Sequence, residues 1–214
     1  MFEDALPEKA QALLDKIIPI IQQEGFYLAG GSGLALQICH RISEDLDFFK
    51  NSSFNTDRLF SSLRRIAVSS SRTLEEEDTL WTILEGVRCC FFTYQVPLLF
   101  EPVIFQGLKV ADWRDILAEK LKTVSQRGSK KDFFDIFSSM VAKNVDIRDA
   151  VSFCKRRFDS TDLNFYHILR SLTYFEDAEG EPDPKMLEGH TFSWEEVKAF
   201  FIDHIKEFER YFLG

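Results

Sequence analysis

Residues 26–49 read FYLAGGSGLALQICHRISEDLDFF, and the fold turns on how this stretch divides. Phe26-Tyr27-Leu28-Ala29 is a short apolar strand that runs into Gly30-Gly31-Ser32. A short helix from Gly33 to about Cys39 and a loop from His40 to Glu44 lead to a second strand, Asp45-Leu46-Asp47-Phe48-Phe49. Side chains alternate across a strand, so Asp45 and Asp47 leave the same face. Carboxylates held side by side raise each other's proton affinity unless a cation lies between them. Mg2+ suits such a pair, because it takes hard oxygen ligands and is held by one or two carboxylates plus substrate phosphates. Two such ions would activate an attacking hydroxyl and neutralise a leaving pyrophosphate.

A DxD pair alone is more often a solvated strand edge. The loop that precedes it shifts the reading. Glycines let backbone approach a phosphate, a helix N-terminus offers free N–H groups, and Ser32 adds a hydroxyl. Gly30, Gly31 and Ser32 are therefore the candidate nucleotide loop, and Asp45 and Asp47 the candidate metal ligands. His40 and Arg41 follow the short helix, where cationic side chains favour the last carbonyls. His40 is read as structural; Arg41 either does the same, orients the Asp pair or contacts phosphate.

Upstream, residues 7–24 form an amphipathic helix with Ala10, Leu13, Leu14, Ile17, Ile18 and Ile21 on one face, ended by Gly25. Downstream, residues 56–67 read as a helix capped by Asn55 or Thr56. A hairpin follows, Thr79–Leu84 and Val87–Tyr94 around Glu85-Gly86. Val103–Val110 adds a strand or edge, and from Asp112 the signal is helical: 112–127, 130–143, 147–158, 161–178 and 194–213. Strands first and helices later is the α+β pattern. The expected organisation is an α/β core over residues 1–108 and a helical C-terminal domain, a bundle, over 109–214.

Composition narrows the class. The 35 Asp and Glu against 26 Lys and Arg leave a net charge of −9, which excludes a generally basic surface that coats nucleic acid. It does not exclude a nucleic-acid substrate held by a local basic patch, and Lys122, Arg127, Lys130 and Lys131 supply one. That cluster either meets nucleotide or RNA phosphate, pairs with Asp132 and Asp135, or simply faces water. Lys155-Arg156-Arg157 ends a helix and complements its dipole. The 22 phenylalanines are core material. Cys39, Cys89, Cys90 and Cys154 have no metal-binding spacing, and adjacent Cys89 and Cys90 should face opposite sides of a strand. The first residues, MFEDALPEKA, lack the basic and apolar regions of a leader, and no run is long enough to span a bilayer. The expectation is a soluble, cytoplasmic protein with no membrane partner.

The 26–49 stretch resembles the first motif of the AbiEii-type nucleotidyltransferase toxins, in the DNA polymerase β-like nucleotidyltransferase superfamily. Gly30, Gly31, Ser32, Ala35, Leu36, His40, Arg41, Ser43, Asp45, Asp47, Phe48 and Phe49 carry the likeness without a gap. A second stretch, Asp115-Ile116-Leu117-Ala118-Glu119-Lys120-Leu121 and then Arg127 to Asp135, is similar to the family's later motifs. The resemblance implies a polymerase β-like mixed sheet with flanking helices. It also implies a toxin, often paired with an antitoxin protein, that adds nucleotides from an NTP to RNA acceptors such as the tRNA 3′ end. Asp45 and Asp47 become metal ligands, Gly31 and Ser32 the nucleotide loop and Lys120 a phosphate contact. Asp132 becomes the later active-site aspartate, with Asp135 its close alternative. Lys120 also makes physical sense alone: mid-helix beside Ile116, Leu117, Leu121 and Val124, a long side chain can reach from the core edge into a cleft.

Many enzymes of the superfamily carry a third carboxylate on a later strand near the DxD. Here the strand Val87–Tyr94 holds no Asp or Glu, and a Cys pair stands instead. Either Asp132 or Asp135 supplies the acid, or the chain is a catalytically impaired nucleotide-binding module acting through a protein partner. A further transfer of the same chemistry, onto a protein or small-molecule hydroxyl, differs only in the acceptor.

Overall fold

The Leu46-Asp47-Phe48-Phe49 segment does form a strand, which starts one residue after Asp45 and extends to Lys50, and its burial alternates over these four residues as the sequence requires. Leu46 and Phe48 are fully buried, while Asp47 and Phe49 are half-exposed. The structure is a computed structural model that describes residues 1–214, apart from the side chains of residues 73–76. It divides into two compact units, Met1–Asp112 and Trp113–Gly214.

The first unit holds helix α1 (Glu8–Glu24), strand β1 (Tyr27–Leu28), helix α2 (Gly30–Ile38), strand β2 (Leu46–Lys50) and helix α3 (Thr56–Arg64). Strands β3 (Ser70–Glu76), β4 (Thr79–Leu84), β5 (Val87–Thr93), β6 (Val103–Phe105) and β7 (Leu108–Val110) complete it. The seven strands make one mixed sheet in the order β3-β4-β5-β2-β1-β7-β6. β2 runs parallel to β5 and antiparallel to β1. The β4–β5 hairpin turns through Glu85 and Gly86 at φ 48° and 77°, the two successive positive values of a type I′ turn. Gln106 and Gly107 do the same between β6 and β7 at 48° and 84°, so the Val103–Val110 segment is a hairpin rather than one strand.

One face of this sheet is closed. Leu46, Phe48, Cys89, Phe91, Leu80 and Leu84 pack in a single core with Leu13, Leu14, Ile17 and Ile21 of α1 and Leu59 and Leu63 of α3. The other face carries Asp47, Phe49, Phe92 and Tyr27, all half-buried.

The second unit is helical: α4 (Trp113–Arg127), α5 (Lys130–Lys143), α6 (Ile147–Arg157), α7 (Phe165–Ser171), α8 (Glu176–Glu179) and α9 (Trp194–Leu213). Its core is aromatic, with Phe133 within 5.6 Å of the rings of Phe175, Trp194 and Phe201. α9 begins at a capping box: Ser193 accepts from the Glu196 amide, and the Glu196 carboxylate accepts from the Ser193 amide. The expected single helix over 161–178 is two, α7 and α8. Asn164 caps α7 by accepting from His167 N, and the chain leaves helical geometry after Leu172.

Candidate active site

Strand register builds the site. Leu46 pairs with Cys89 and Asp47 with Cys90 across β2 and β5, and Trp81 of β4 pairs with Cys90. One residue earlier, Asp45 lies level with Arg88. One pair later, Phe92, Phe49 and Tyr27 stand in a row across β5, β2 and β1. The half-open face thus presents three successive rows: Arg88 beside Asp45, Cys90 beside Asp47, and then an aromatic shelf. Phe49 stacks on Phe92 with centroids 5.2 Å apart and on Tyr27 at 6.1 Å.

Asp45 and Asp47 leave the same face, as strand alternation demands. The glycine loop lies directly against them. α2 begins at Gly30, three residues before the expected start, so Gly30, Gly31 and Ser32 are its first turn. No side chain caps that end. Gly30 takes φ 59°, and a Cβ there would run into the Asp47 carboxylate. The Ala29 amide donates to the Asp47 carbonyl at 2.9 Å, fixing loop and strand together. Gly30→Ala should cost about 1–2 kcal/mol of stability from the left-handed backbone alone. It should also weaken any activity that depends on Asp47, because that carboxylate must move. Thermal unfolding beside an activity assay separates the two, and wild-type turnover in the variant would contradict the close approach.

Ser32 and Arg41 sit deeper than a direct ligand role requires. The Ser32 side chain is fully buried; its hydroxyl donates to the Asp45 carbonyl and lies 3.0 Å from that of Ser43. Arg41 is buried beneath the loop, its guanidinium against Gly31 and one Nη donating to the Ile42 carbonyl at 3.1 Å. Both brace the junction between the glycine turn and the Asp pair. His40 is fully buried, in keeping with a structural residue.

Cys89 and Cys90 separate as expected. Cys89 enters the core, and Cys90 faces Asp47. Burial, and then the negative charge of Asp47 and Asp45, pushes the Cys90 thiol up to about 12, so it stays a neutral donor to Asp47. At the level of Asp45 stands Arg88. Its Nε donates to one Asp45 oxygen at 2.8 Å and an Nη to the other at 2.9 Å. Neither β5 residue facing the Asp pair is acidic. Sequence reading missed Arg88, although its place on the face shared with Cys90 follows from alternation alone.

The residues of the second motif lie in the helical unit. Lys120 Nζ is 2.6 Å from Asp132 and 2.7 Å from Asp135, with both carboxylates fully buried. Arg127 closes on Asp132 with Nε at 2.7 Å and an Nη at 2.9 Å, leaving most of its own side chain in water. Burial works to raise the Asp132 carboxyl, but the Lys120 charge and the Arg127 fork outweigh it and hold it below the usual carboxylate value. Much of the basic cluster is thus engaged within the unit. Lys130 pairs with Asp183 at 3.0 Å and Lys122 with Glu119 at 2.9 Å, while the Lys131 side chain is exposed.

Arg157 corrects the dipole reading of residues 155–157. It is buried, and its guanidinium donates to the equally buried Asp115. The signal was present: Ala150, Cys154 and Arg157 share the buried face of α6.

Among the described residues, no group of three or more His, Cys, Asp or Glu side chains is arranged to hold a metal, and no helix is long and apolar enough to cross a membrane. Two carboxylates are nonetheless the donor set Mg2+ takes when substrate phosphates complete its shell. The half-open Asp45 carboxylate and the glycine cradle against Asp47 fit that arrangement.

No protein-family model matches the chain. A candidate nucleotidyltransferase from Helicobacter pylori superposes over 98% of this chain and 98% of its own, with a TM-score of 0.54 and 17% identity. MenT4, a nucleotidyltransferase toxin from Mycobacterium tuberculosis H37Rv, superposes over 95% of this chain and 85% of its own, with a TM-score of 0.53 and 15% identity. At such identities the likeness establishes the fold, which is the α+β nucleotidyltransferase fold expected from the sequence. Sequence similarity reaches further with one relative, the uncharacterized protein aq_aa25 of Aquifex aeolicus (strain VF5), 34% identical over 211 residues, 95% of this chain and 97% of the relative. The chain belongs to the same family as aq_aa25, built on the nucleotidyltransferase fold.

Proposed function

We propose that this protein is a Mg2+-dependent nucleotidyltransferase that moves a nucleotidyl group from an NTP to an RNA acceptor, with tRNA the first candidate. The observation that carries this reading is the Gly30 backbone set against Asp47, on the face where Asp45 also emerges. Asp45 and Asp47 would hold the metal, which supplies charge to the triphosphate and lowers the proton affinity of the acceptor hydroxyl. The first turn of α2 offers uncapped N–H groups to phosphate. Ser32 and Arg41 keep that turn and the Asp pair in register. The motif resemblance supports Lys120 as a phosphate contact and Asp132, or Asp135, as the later carboxylate. It likewise supports a toxin of the AbiEii type, working in the cytoplasm and answered by an antitoxin protein.

The test is transfer of label from each α-labelled NTP to total tRNA in the presence of Mg2+. Labelled RNA, dependent on the metal, is the expected result and names the nucleotide. A second reading has its own observation: Arg88 and Cys90 occupy β5 where an acid would complete the Asp pair. On that reading the protein binds nucleotide without turnover and acts through a partner. Nucleotide binding with no label on any RNA would favour it.

A further inference from the structure

Two carboxylates on one strand face need a counter-charge, and this chain carries one of its own. Arg88 makes a two-pronged pair with Asp45, at 2.8 and 2.9 Å. It does not hold the fold together. Its side chain is 63% exposed and that of Asp45 36%, whereas its strand neighbours Val87 and Cys89 are in the core. Exposed pairs of this kind contribute little stability and open readily.

The geometry has a chemical consequence. A guanidinium fork fits a carboxylate and a phosphate equally well. Metal binding at Asp45 requires the oxygens that Arg88 holds, so the two cations compete. Once displaced, the arginine stands next to whatever anion the metal brings with it, and for a nucleotidyltransferase that anion is a triphosphate. An acid at this position of β5 would add a metal ligand; an arginine adds a grip on the substrate.

We propose that Arg88 is a triphosphate-binding residue, kept on Asp45 until a metal-bound NTP displaces it. The inference rests on reading Asp45 and Asp47 as the nucleotidyl-transfer site. It makes metal and nucleotide binding respond in opposite directions to the same substitution.

The experiment uses the full chain as wild type, Arg88→Ala and Arg88→Lys. Mn2+ binding alone is followed by electron paramagnetic resonance, and binding of each α,β-methylene NTP with Mg2+ by calorimetry. Arg88→Ala should bind Mn2+ roughly two- to fivefold more tightly, the scale of a lost exposed ion pair. It should bind the preferred analogue roughly ten- to a hundredfold more weakly, as loss of a charge-assisted fork implies. Arg88→Lys, a point charge without the fork, should fall between on the analogue. Analogue binding that is unchanged or tighter in Arg88→Ala overturns the phosphate role and leaves only a counter-ion. Unchanged Mn2+ affinity overturns the competition for Asp45. A wild type that binds neither Mn2+ nor any analogue overturns the reading of the Asp pair itself, and this inference with it.

Discussion

Asp47→Asn is expected to reduce nucleotidyl transfer by roughly a thousandfold, the scale seen when a preorganised charge at a reacting centre is removed. Stability should change by less than about 1 kcal/mol, because the side chain is half-exposed and Asn keeps its volume. The two strand positions are not equivalent. Asp47 touches the Gly30 backbone and accepts from the Cys90 thiol, so its carboxylate is fixed before any ligand arrives. Asp45 is held by an exposed arginine that can leave. Asp47→Asn should therefore cost more in kcat than Asp45→Asn, with both proteins unfolding at nearly the wild-type temperature. Transfer retained in Asp47→Asn, measured as label on tRNA, would remove the pair from the chemistry. Transfer absent from the wild type as well, with nucleotide still bound, would favour a nucleotide-binding module that acts through a partner.

Most of what positions this site is legible in residues 26–49. Alternation of Leu46 and Phe48 with Asp45 and Asp47 dictates which face is buried, and strand β2 buries Leu46 and Phe48 while Asp47 and Phe49 stay half-open. Glu85-Gly86 between two alternating runs fixes the β4–β5 hairpin, and that hairpin sets which β5 residues face the Asp pair. What stays hidden has physical causes. Strand β3 is written SSRTLEE, with no apolar period, because an edge strand needs backbone partners more than a buried face. The order of strands in the sheet is a long-range property that no local pattern encodes, so the parallel pairing of β2 with β5, and hence Arg88 against Asp45, emerges only in three dimensions. Lys120, Asp132 and Asp135 illustrate a different limit. Each looks like an ordinary polar residue of a helix, and only the packing of α4 on α5 reveals that all three are buried together.

That burial makes Lys120→Met the substitution expected to destabilise most. In the native cluster two cations, Lys120 and Arg127, balance two carboxylates, Asp132 and Asp135. Removing Lys120 takes the shared cation away from two buried acids, and the guanidinium that stays on Asp132, that of Arg127, is largely in water. Breaking a buried pair in this way costs about 3–5 kcal/mol. Asp132→Asn should cost less, because Lys120 keeps Asp135 and the surplus charge falls on Arg127, which is already solvated. The pH dependence has a definite sign. The folded-state Asp132 carboxyl lies below its ordinary value, so its contribution is fully present above the unfolded carboxylate range near 4. It is lost as pH falls through the lower folded value. Without Lys120 the upward push of burial meets less opposition, and Asp132 takes up its proton at higher pH. The gap in stability between wild type and Lys120→Met should therefore be widest near neutrality and should narrow as the pH drops toward the ordinary carboxylate range. Denaturant unfolding at several pH values, followed through Trp113 and Trp194 of the helical unit, measures that gap. A gap that does not change with pH would mean that Lys120 stabilises through its packed methylenes rather than its charge. The same series bears on the catalytic proposal. A lysine whose loss abolishes transfer at a pH where the fold has recovered acts on the substrate, whereas one whose loss tracks unfolding serves the cluster alone.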